Sequence, residues 1–339
     1  MDPAGTNELI RVMVLMKCAS FLRDLLTLRV YRVACGCVKT CTEISAPLPG
    51  REAISRECFI ITLMVTLWKI TGQGSEEIRL PDLSSLDAAT NGLPDGLYST
   101  FRTFRQRTHA LDLKTHLDRL YLPAAKKGLR PSADPVSLRR ALADRLDAYP
   151  ADEARVRISL THHGLVYLAL EPLKLLPRSV YEQGVRVVET RAHRENPTLK
   201  STAFIAASQA ERAQLAEQNA FEGLIVHHGQ ILECLTSNFF YVRDGKLGTA
   251  PRGILNGVTR HEVLSIARAE GIEIPYEPLL LSGAGSIDEA FLTSSSRGIV
   301  PIVDLDGTQV GDGRVGEVTR RLMALYEADV EKRVEAIRP

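Results

Sequence analysis

Net charge is almost absent from this chain: 42 Lys+Arg stand against 41 Asp+Glu over 339 residues, a formal +1. Such a balance gives no basic footprint for nucleic acid or for an anionic membrane. Long apolar runs are missing as well. The best of them, Phe59 to Trp68, falls well short of the roughly 20 residues that cross a bilayer. The start carries Asp2, Glu8 and Arg11 without an unbroken apolar stretch, which argues against a secretory signal. There is no Walker lysine loop and no GxGxxG, since Gly283-Ala-Gly285 lacks its third glycine. What is left, 45% hydrophobic and 24% charged, is the composition of a soluble globular protein, expected in the cytoplasm. The length suggests about two domains, each able to bury a core.

Cysteine is nearly confined to one end. Cys18, Cys35, Cys37, Cys41 and Cys58 precede residue 64, and Cys234 alone follows it. Cys35-Gly-Cys37 with Cys41 has the look of thiolate metal ligands, but no second pair stands at zinc-finger spacing, and a cytosolic disulfide framework is disfavoured. No metal site is assigned. Apolar residues recur at helical spacing between Leu9 and Val33, yet residues 1–63 show neither strand alternation nor turn punctuation. Met64 opens a cleaner pattern, and we expect a natural start near it, with 1–63 an appended or mistranslated leader.

From Met64 the chain reads as mixed α/β. Val65–Ile70 and Glu76–Leu80 flank Thr71-Gly-Gln-Gly74 as a hairpin. Gly96–Phe104 alternates like a strand, Leu113–Leu122 and Val136–Leu146 read as helices, and Arg155–Leu160 with Leu165–Leu170 forms a second hairpin. The proline-bounded stretch Glu171–Pro177 suits a linker. Beyond it come a strand from Gly184 to Val188, strand pairs at Gly223–Val226/Ile231–Glu233 and Phe239–Val242/Gly248–Ala250, and helices at Arg260–Glu270 and Val315–Tyr326. The expected division is a small domain over 64–172, a linker over 173–182 and a larger domain over 183–335.

Four segments carry candidate chemistry. Lys200 sits in Asn196-Pro-Thr-Leu-Lys-Ser-Thr-Ala-Phe-Ile205, a small and apolar run. Such a lysine either snorkels to water or has a use, because desolvation makes its amine a nucleophile and a base. Glu233 ends one strand, and Thr236, Ser237 and Asn238 lead into an aromatic one. A carboxylate there serves either to hold a cationic ring nitrogen or as a strand-end cap. Gly253-Ile-Leu-Asn-Gly257-Val-Thr259-Arg260 precedes a helix, where free N–H groups suit a phosphate and where Thr259 serves equally as a plain N-cap. Phe291-Leu-Thr-Ser-Ser-Ser296-Arg-Gly298 runs a strand into clustered hydroxyls, which fit a phosphate or a polar turn.

The order of these pieces resembles the class IV pyridoxal-phosphate enzymes: branched-chain aminotransferases, D-amino-acid aminotransferases and aminodeoxychorismate lyases. The likeness spans about residues 65–330 and includes His116-Leu-Asp-Arg119-Leu, Asp288-Glu-Ala-Phe291 and Asp306-Gly-Thr with Gly313-Arg-Val-Gly316. It implies the two-domain fold type IV of D-amino-acid aminotransferase, α/β in class, with pyridoxal 5'-phosphate between the domains. By the same resemblance Lys200 is the lysine that joins the cofactor aldehyde and then moves the substrate proton. Glu233 faces the pyridine nitrogen. Arg119, Gly257, Val258, Thr259, Ser294 and Ser295 hold the phosphate, Leu255 packs on the ring, and Arg102, on the strand through Tyr98, meets the substrate carboxylate. The implied partners are an amino acid, a 2-keto acid and a second copy of the chain.

Three departures stand out against that pattern. Many relatives place Asn or Tyr within five residues after the lysine, where this chain has Ser-Thr-Ala-Phe-Ile. Leu235 takes the place of a small residue, and the loop 250–254 is short. Together they argue against a standard branched-chain specificity. The expected activity is ping-pong transamination through Lys200. Cys234 and Asn256-Gly257 have counterparts in the lyases, which eliminate pyruvate, and that reading stays open. So does a binding protein that kept the fold without turnover, although its mark, a missing lysine or carboxylate, is not found.

Overall fold

The computed structural model describes residues 65–339; the expectations for 1–63, including the cysteine cluster and the helical spacing, lie outside the described residues. Alternation builds the first sheet. Strand β1 (Thr66–Thr71) turns through Gly72-Gln73 into β2 (Gly74–Glu77). The second strand stops short of the expected Leu80 because Ile78 and Leu80 pack with Val65, Leu67 and Leu86 instead. Helix α1 (Leu86–Asn91) follows, capped by Ser85, and then β3 (Gly96–Phe104), β4 (His109–Ala110), α2 (Leu113–Lys126), α3 (Pro135–Asp147), β5 (Ala154–Thr161) and β6 (Val166–Pro172).

The stretch expected as linker is half helical, since α4 spans Arg178–Gln183. None of its residues is buried, so it offers no apolar stripe from which a helix is read. Next come β7 (Val185–Thr190), α5 (Ala203–Ala207), α6 (Gln209–Glu217), β8 (Glu222–His227), β9 (Gln230–Cys234), β10 (Asn238–Arg243) and β11 (Lys246–Gly248). The chain ends with α7 (Val258–Ala269), β12 (Leu279–Leu280), β13 (Glu289–Ser294), β14 (Gly298–Leu305), β15 (Thr308–Gln309), α8 (Glu317–Arg333) and β16 (Glu335–Ala336).

The strands form two sheets. The first runs β16-β4-β3-β5-β6-β1-β2, antiparallel throughout, with α2 and α3 packed on the face that carries Phe101, Val156, Ile158, Leu168 and Leu170. The second runs β11-β10-β13-β14-β7-β8-β9-β12, with β7 parallel to both neighbours. A further pairing of Glu233 with Asn238 joins β9 to β10 and closes six strands into a ring. Its inside is filled by Val187, Leu224, Phe239, Leu292 and Val300. Helices α7 and α8 cover the outside through Val263, Leu264 and Leu322. Strand β16 returns the chain to the first sheet at residue 335, where the second domain was expected to end, and Ile337 is buried in the first core.

Helix α8 starts at Gly316 without a side-chain cap of its own. Glu289 of β13 supplies one from a distance, accepting from Val318 N at 2.9 Å and Thr319 N at 2.7 Å. These are charge-assisted bonds at a helix N-terminus, the favourable end for an anion. Glu289→Ala is therefore expected to lower unfolding stability by about 2 kcal/mol, read as a shifted denaturant midpoint with an unchanged slope.

Candidate active site

Glu233 anchors the site. A register shift between Ile231 and Glu233 breaks the alternation of β9, so that Ile231 and Cys234 both point into the filled interior of the ring and Glu233 faces the outside. It is 2% exposed. Its Oε2 accepts from Leu255 N at 3.0 Å and from Asn238 Nδ2 at 3.2 Å. Its Oε1 lies 2.8 Å from Arg194 Nε in an ion pair whose angle makes no hydrogen bond. Burial raises the Glu233 pKa; Arg194 and the Leu255 N–H work against that rise. Asn238 spends its amide a second time on Leu255 O at 2.8 Å, which fixes Leu255 beside the carboxylate. Gly257 is required here, because a Cβ would stand 2.1 Å from Asn238 Oδ1.

Lys200 reaches the same space from the other side. Its backbone is laid along β3: Tyr98 N donates to Lys200 O, Thr202 N to Gly96 O, and Gly96 N to Thr202 Oγ1, each at 2.9 Å. The amine lies 5.1 Å from the centre of the Tyr98 ring. It has no hydrogen-bond or ion-pair partner among the described residues. Burial first, then Arg119, Arg194 and Arg157, holds its pKa well below the ordinary lysine value, with Glu233 pulling the other way. That environment favours the uncharged, nucleophilic amine.

A third wall is the start of α7. Its cap position is Gly257, with no side-chain cap, and Val258 and Thr259 are buried in its first turn. Thr259 Oγ1 and Thr293 Oγ1 are both buried without an aligned partner. Arg119, on α2, donates to Asn256 O just before that turn. Burial lowers the Arg119 pKa, while Tyr98 raises it. Ser294 closes β13 and accepts from Arg297 Nε at 3.1 Å; Ser295 follows in the turn. Arg297 is itself paired to the buried Glu222 at 2.9 Å.

Arg102 lies on the same face of β3 as Tyr98, but its surroundings differ from those of Lys200. Its guanidinium sits 4.6 Å over the Phe104 ring and donates weakly to Thr103 O at 3.4 Å. Burial lowers its pKa, against Glu153, Tyr181 and Tyr326. Arg157, its neighbour on this face, is the arginine that shares the Tyr98 ring with Lys200, at 4.7 Å. Sequence reasoning singled out neither Arg157 nor Arg194. A carboxylate in an apolar run needs a nearby cation, but Arg191-Ala-His-Arg194-Glu offers two arginines, and nothing local distinguishes the one that serves.

A pyridoxal phosphate fits this arrangement. Two buried threonine hydroxyls without an aligned hydrogen bond, an uncapped helix start and Arg119 form an anion cradle. Glu233 Oε1 is held by the Arg194 ion pair alone, and the Lys200 amine is near enough to act on the carboxylate's charge. Known proteins point the same way. The class IV amino-transferase family model matches residues 96–305. A provisionally named branched-chain-amino-acid aminotransferase of Methanocaldococcus jannaschii is 30% identical over 255 residues, covering 69% of this chain and 86% of its own. D-alanine aminotransferase of Listeria monocytogenes is 26% identical over 256 residues, 70% and 88% of the two chains. A solved, likewise provisionally named branched-chain aminotransferase from Thermotoga maritima superposes with TM-score 0.66 at 27% identity, over 79% of this chain and 96% of that one. The Escherichia coli branched-chain enzyme superposes at 0.67 with 22% identity, over 81% and 99%, a likeness of fold. The chain belongs to the class IV aminotransferases and has their fold type IV architecture.

His116 lies directly beneath the site. It is 1% exposed, its Nδ1 is 2.8 Å from Ser99 Oγ, and its ring packs on Phe101 at 4.9 Å. Burial, with Arg119 and Lys200 nearby, keeps its pKa well below 6.5. The unfolded chain takes up this proton below about pH 6.5 and the folded chain does not. The contribution is therefore complete above that pH and is lost as pH falls towards the depressed folded value. Below pH 6.5 the stability of the wild type should decline more steeply than that of His116→Asn, by up to about 1.4 kcal/mol per pH unit. Denaturant melts between pH 7.5 and 5 check this.

Proposed function

We propose that this enzyme transfers an amine between an amino acid and a 2-keto acid in a ping-pong cycle, with pyridoxal 5'-phosphate as cofactor. The observation that carries the reading is the Lys200 amine, enclosed and without a partner, opposite a buried carboxylate and beside an uncapped helix start. Supporting it, a Thermus thermophilus neighbour of the same fold is described in complex with N-(5'-phosphopyridoxyl)-L-glutamate. The working unit is a homodimer in the cytoplasm, each chain with a small domain over 64–172 and a larger one over 183–335.

When bound, the cofactor supplies an aldehyde that carries the amine and a ring that accepts electrons as the substrate Cα loses its proton. The residues supply the rest. Thr259 and Arg119, with Val258 N, Gly257, Ser294 and Ser295, hold the phosphate. Glu233 would keep a proton on the pyridine nitrogen, and Leu255 would pack against the ring. Lys200 Nζ would take the proton from the substrate Cα and return it two atoms away, at the carbon that came from the cofactor aldehyde. The substrate carboxylate falls to Arg102, on the β3 face that also carries Tyr98.

The purified protein should show a long-wavelength absorption band that bleaches when a mixture of amino acids is added. Lys200→Ala should keep phosphate-dependent cofactor binding and lose transamination by at least about a thousandfold; near-wild-type turnover would sink the assignment. Aminodeoxychorismate separates the lyase alternative, since pyruvate released without a keto-acid acceptor favours elimination. Cys234, which links the chain to those lyases in sequence, is buried in the ring interior and does not line the site. A colourless protein that takes up no cofactor would leave the binding-protein reading.

A further inference from the structure

Asp87 has no place in the cycle just described, yet it ties together two arginines, one beside the lysine and one on the segment that follows it. It lies in the first turn of α1, the short helix capped by Ser85. One carboxylate oxygen accepts from Arg157 Nη1 at 2.7 Å, and the other pairs with Arg212 of α6. Thr90, on the same face of α1, accepts from Arg157 Nη1 at 3.0 Å, and Thr100 accepts from Arg157 Nε at 3.0 Å. Arg157 is 4% exposed and so locked on two edges, with its guanidinium against the ring that Lys200 also touches. Arg212 belongs to the segment that continues from Lys200 through α5. One carboxylate thus ties the lysine-bearing segment and the arginine beside the lysine to the same short helix.

We propose that Asp87 is a positioning residue for Lys200, offsetting the charge of Arg157 and fixing both Arg157 and the α6 segment. The physical need is clear from the groups facing the amine. Arg119 and His116 come from α2, Arg157 from β5, Tyr98 from β3, Arg194 from the loop before Lys200, and Glu233 from β9. Three of these are arginines and only Glu233 is an anion. Asp87 adds the second anion, one residue removed. Burial works to neutralise Asp87, but Arg157 and Arg212 outweigh it and keep the carboxyl below its ordinary range. A buried arginine without its counter-ion is costly and acts at longer range than a paired one.

The inference rests on reading Lys200 as the reactive lysine, and its test needs neither cofactor nor turnover. The full chain, freed of bound aldehyde by dialysis against cysteine, is labelled with trace acetic anhydride across a pH series. Peptide mass spectrometry then gives the titration of Lys200 itself. Asp87→Asn should move that titration down by about half a pH unit or more, and Asp87→Glu should restore it. In an Arg157→Met background the same Asn change should have little effect. An unmoved Lys200 titration in a folded Asp87→Asn protein overturns the proposal. Should that variant fail to fold, Arg157→Met alone decides: removing the cation should raise the Lys200 titration by about half a unit, and no rise overturns it. Failure of the aminotransferase reading would show separately, as a missing absorption band in a protein whose lysine still titrates as described.

Discussion

A single pairing between Glu233 and Asn238 does two jobs on which the rest depends. It closes the second sheet into a ring, and it places a carboxylate and its amide partner side by side on the outer wall. A buried carboxylate tolerates this position only if its oxygens are met. Leu255 N, Asn238 Nδ2 and Arg194 meet them, and the same Asn238 fixes the backbone of Leu255. The loop that runs into α7 is thereby held against the carboxylate. The helix start, Gly257 and Thr259 then fall where an anion is best stabilised. Ring closure and site assembly are one event.

Much of this was legible in the sequence, and what was not has identifiable causes. Strand β3 spans Gly96–Phe104 as its alternation predicts, and both hairpins of the first sheet appear, because period-two patterning survives wherever one face is covered. Strand β11 begins at Lys246 rather than Gly248, a shift within the usual imprecision of strand ends. Helices α1, α5 and α6 went unread. They are short, α5 and α6 have no side-chain caps, and they are held by contacts from elsewhere in the chain, such as the bond that Arg212 donates to Asp87. Propensity cannot show an element that tertiary contacts create.

The chemistry-bearing residues divide the same way. Lys200 and Glu233 stand out by residue type in an unexpected setting, whereas Arg119 comes from the family resemblance and Thr259 reads equally well as a plain N-cap. Arg157 does not: in Arg155-Val-Arg-Ile158 it is one of two strand arginines, and only pairing tells them apart. Arg155 pairs with Glu171 at 2.6 Å, while Arg157 turns under α1 to Asp87. Cation placement around a buried amine is a property of the assembled sheet rather than of any local stretch. Arg102 shows the same limit: its strand face was legible, while its stacking on Phe104 and its nearness to Tyr181 and Tyr326 come from the assembled fold.

The return of the chain through β16 carries a mechanical meaning. The first sheet receives covalent links to the second at two places, the segment holding α4 and the step from α8 into β16. The later one is riveted as well: Arg139 holds Ile337 O at 3.0 Å, and Ile337 N donates to Thr108 O at 2.9 Å. A body tied at one point swings freely, whereas a body tied at two turns only about the line between them. Lys200 and Glu233 both lie in the chain between the two links, and the Lys200 backbone is itself bonded to β3, so the lysine stands at a third tie between the sheets and not on a free-swinging part.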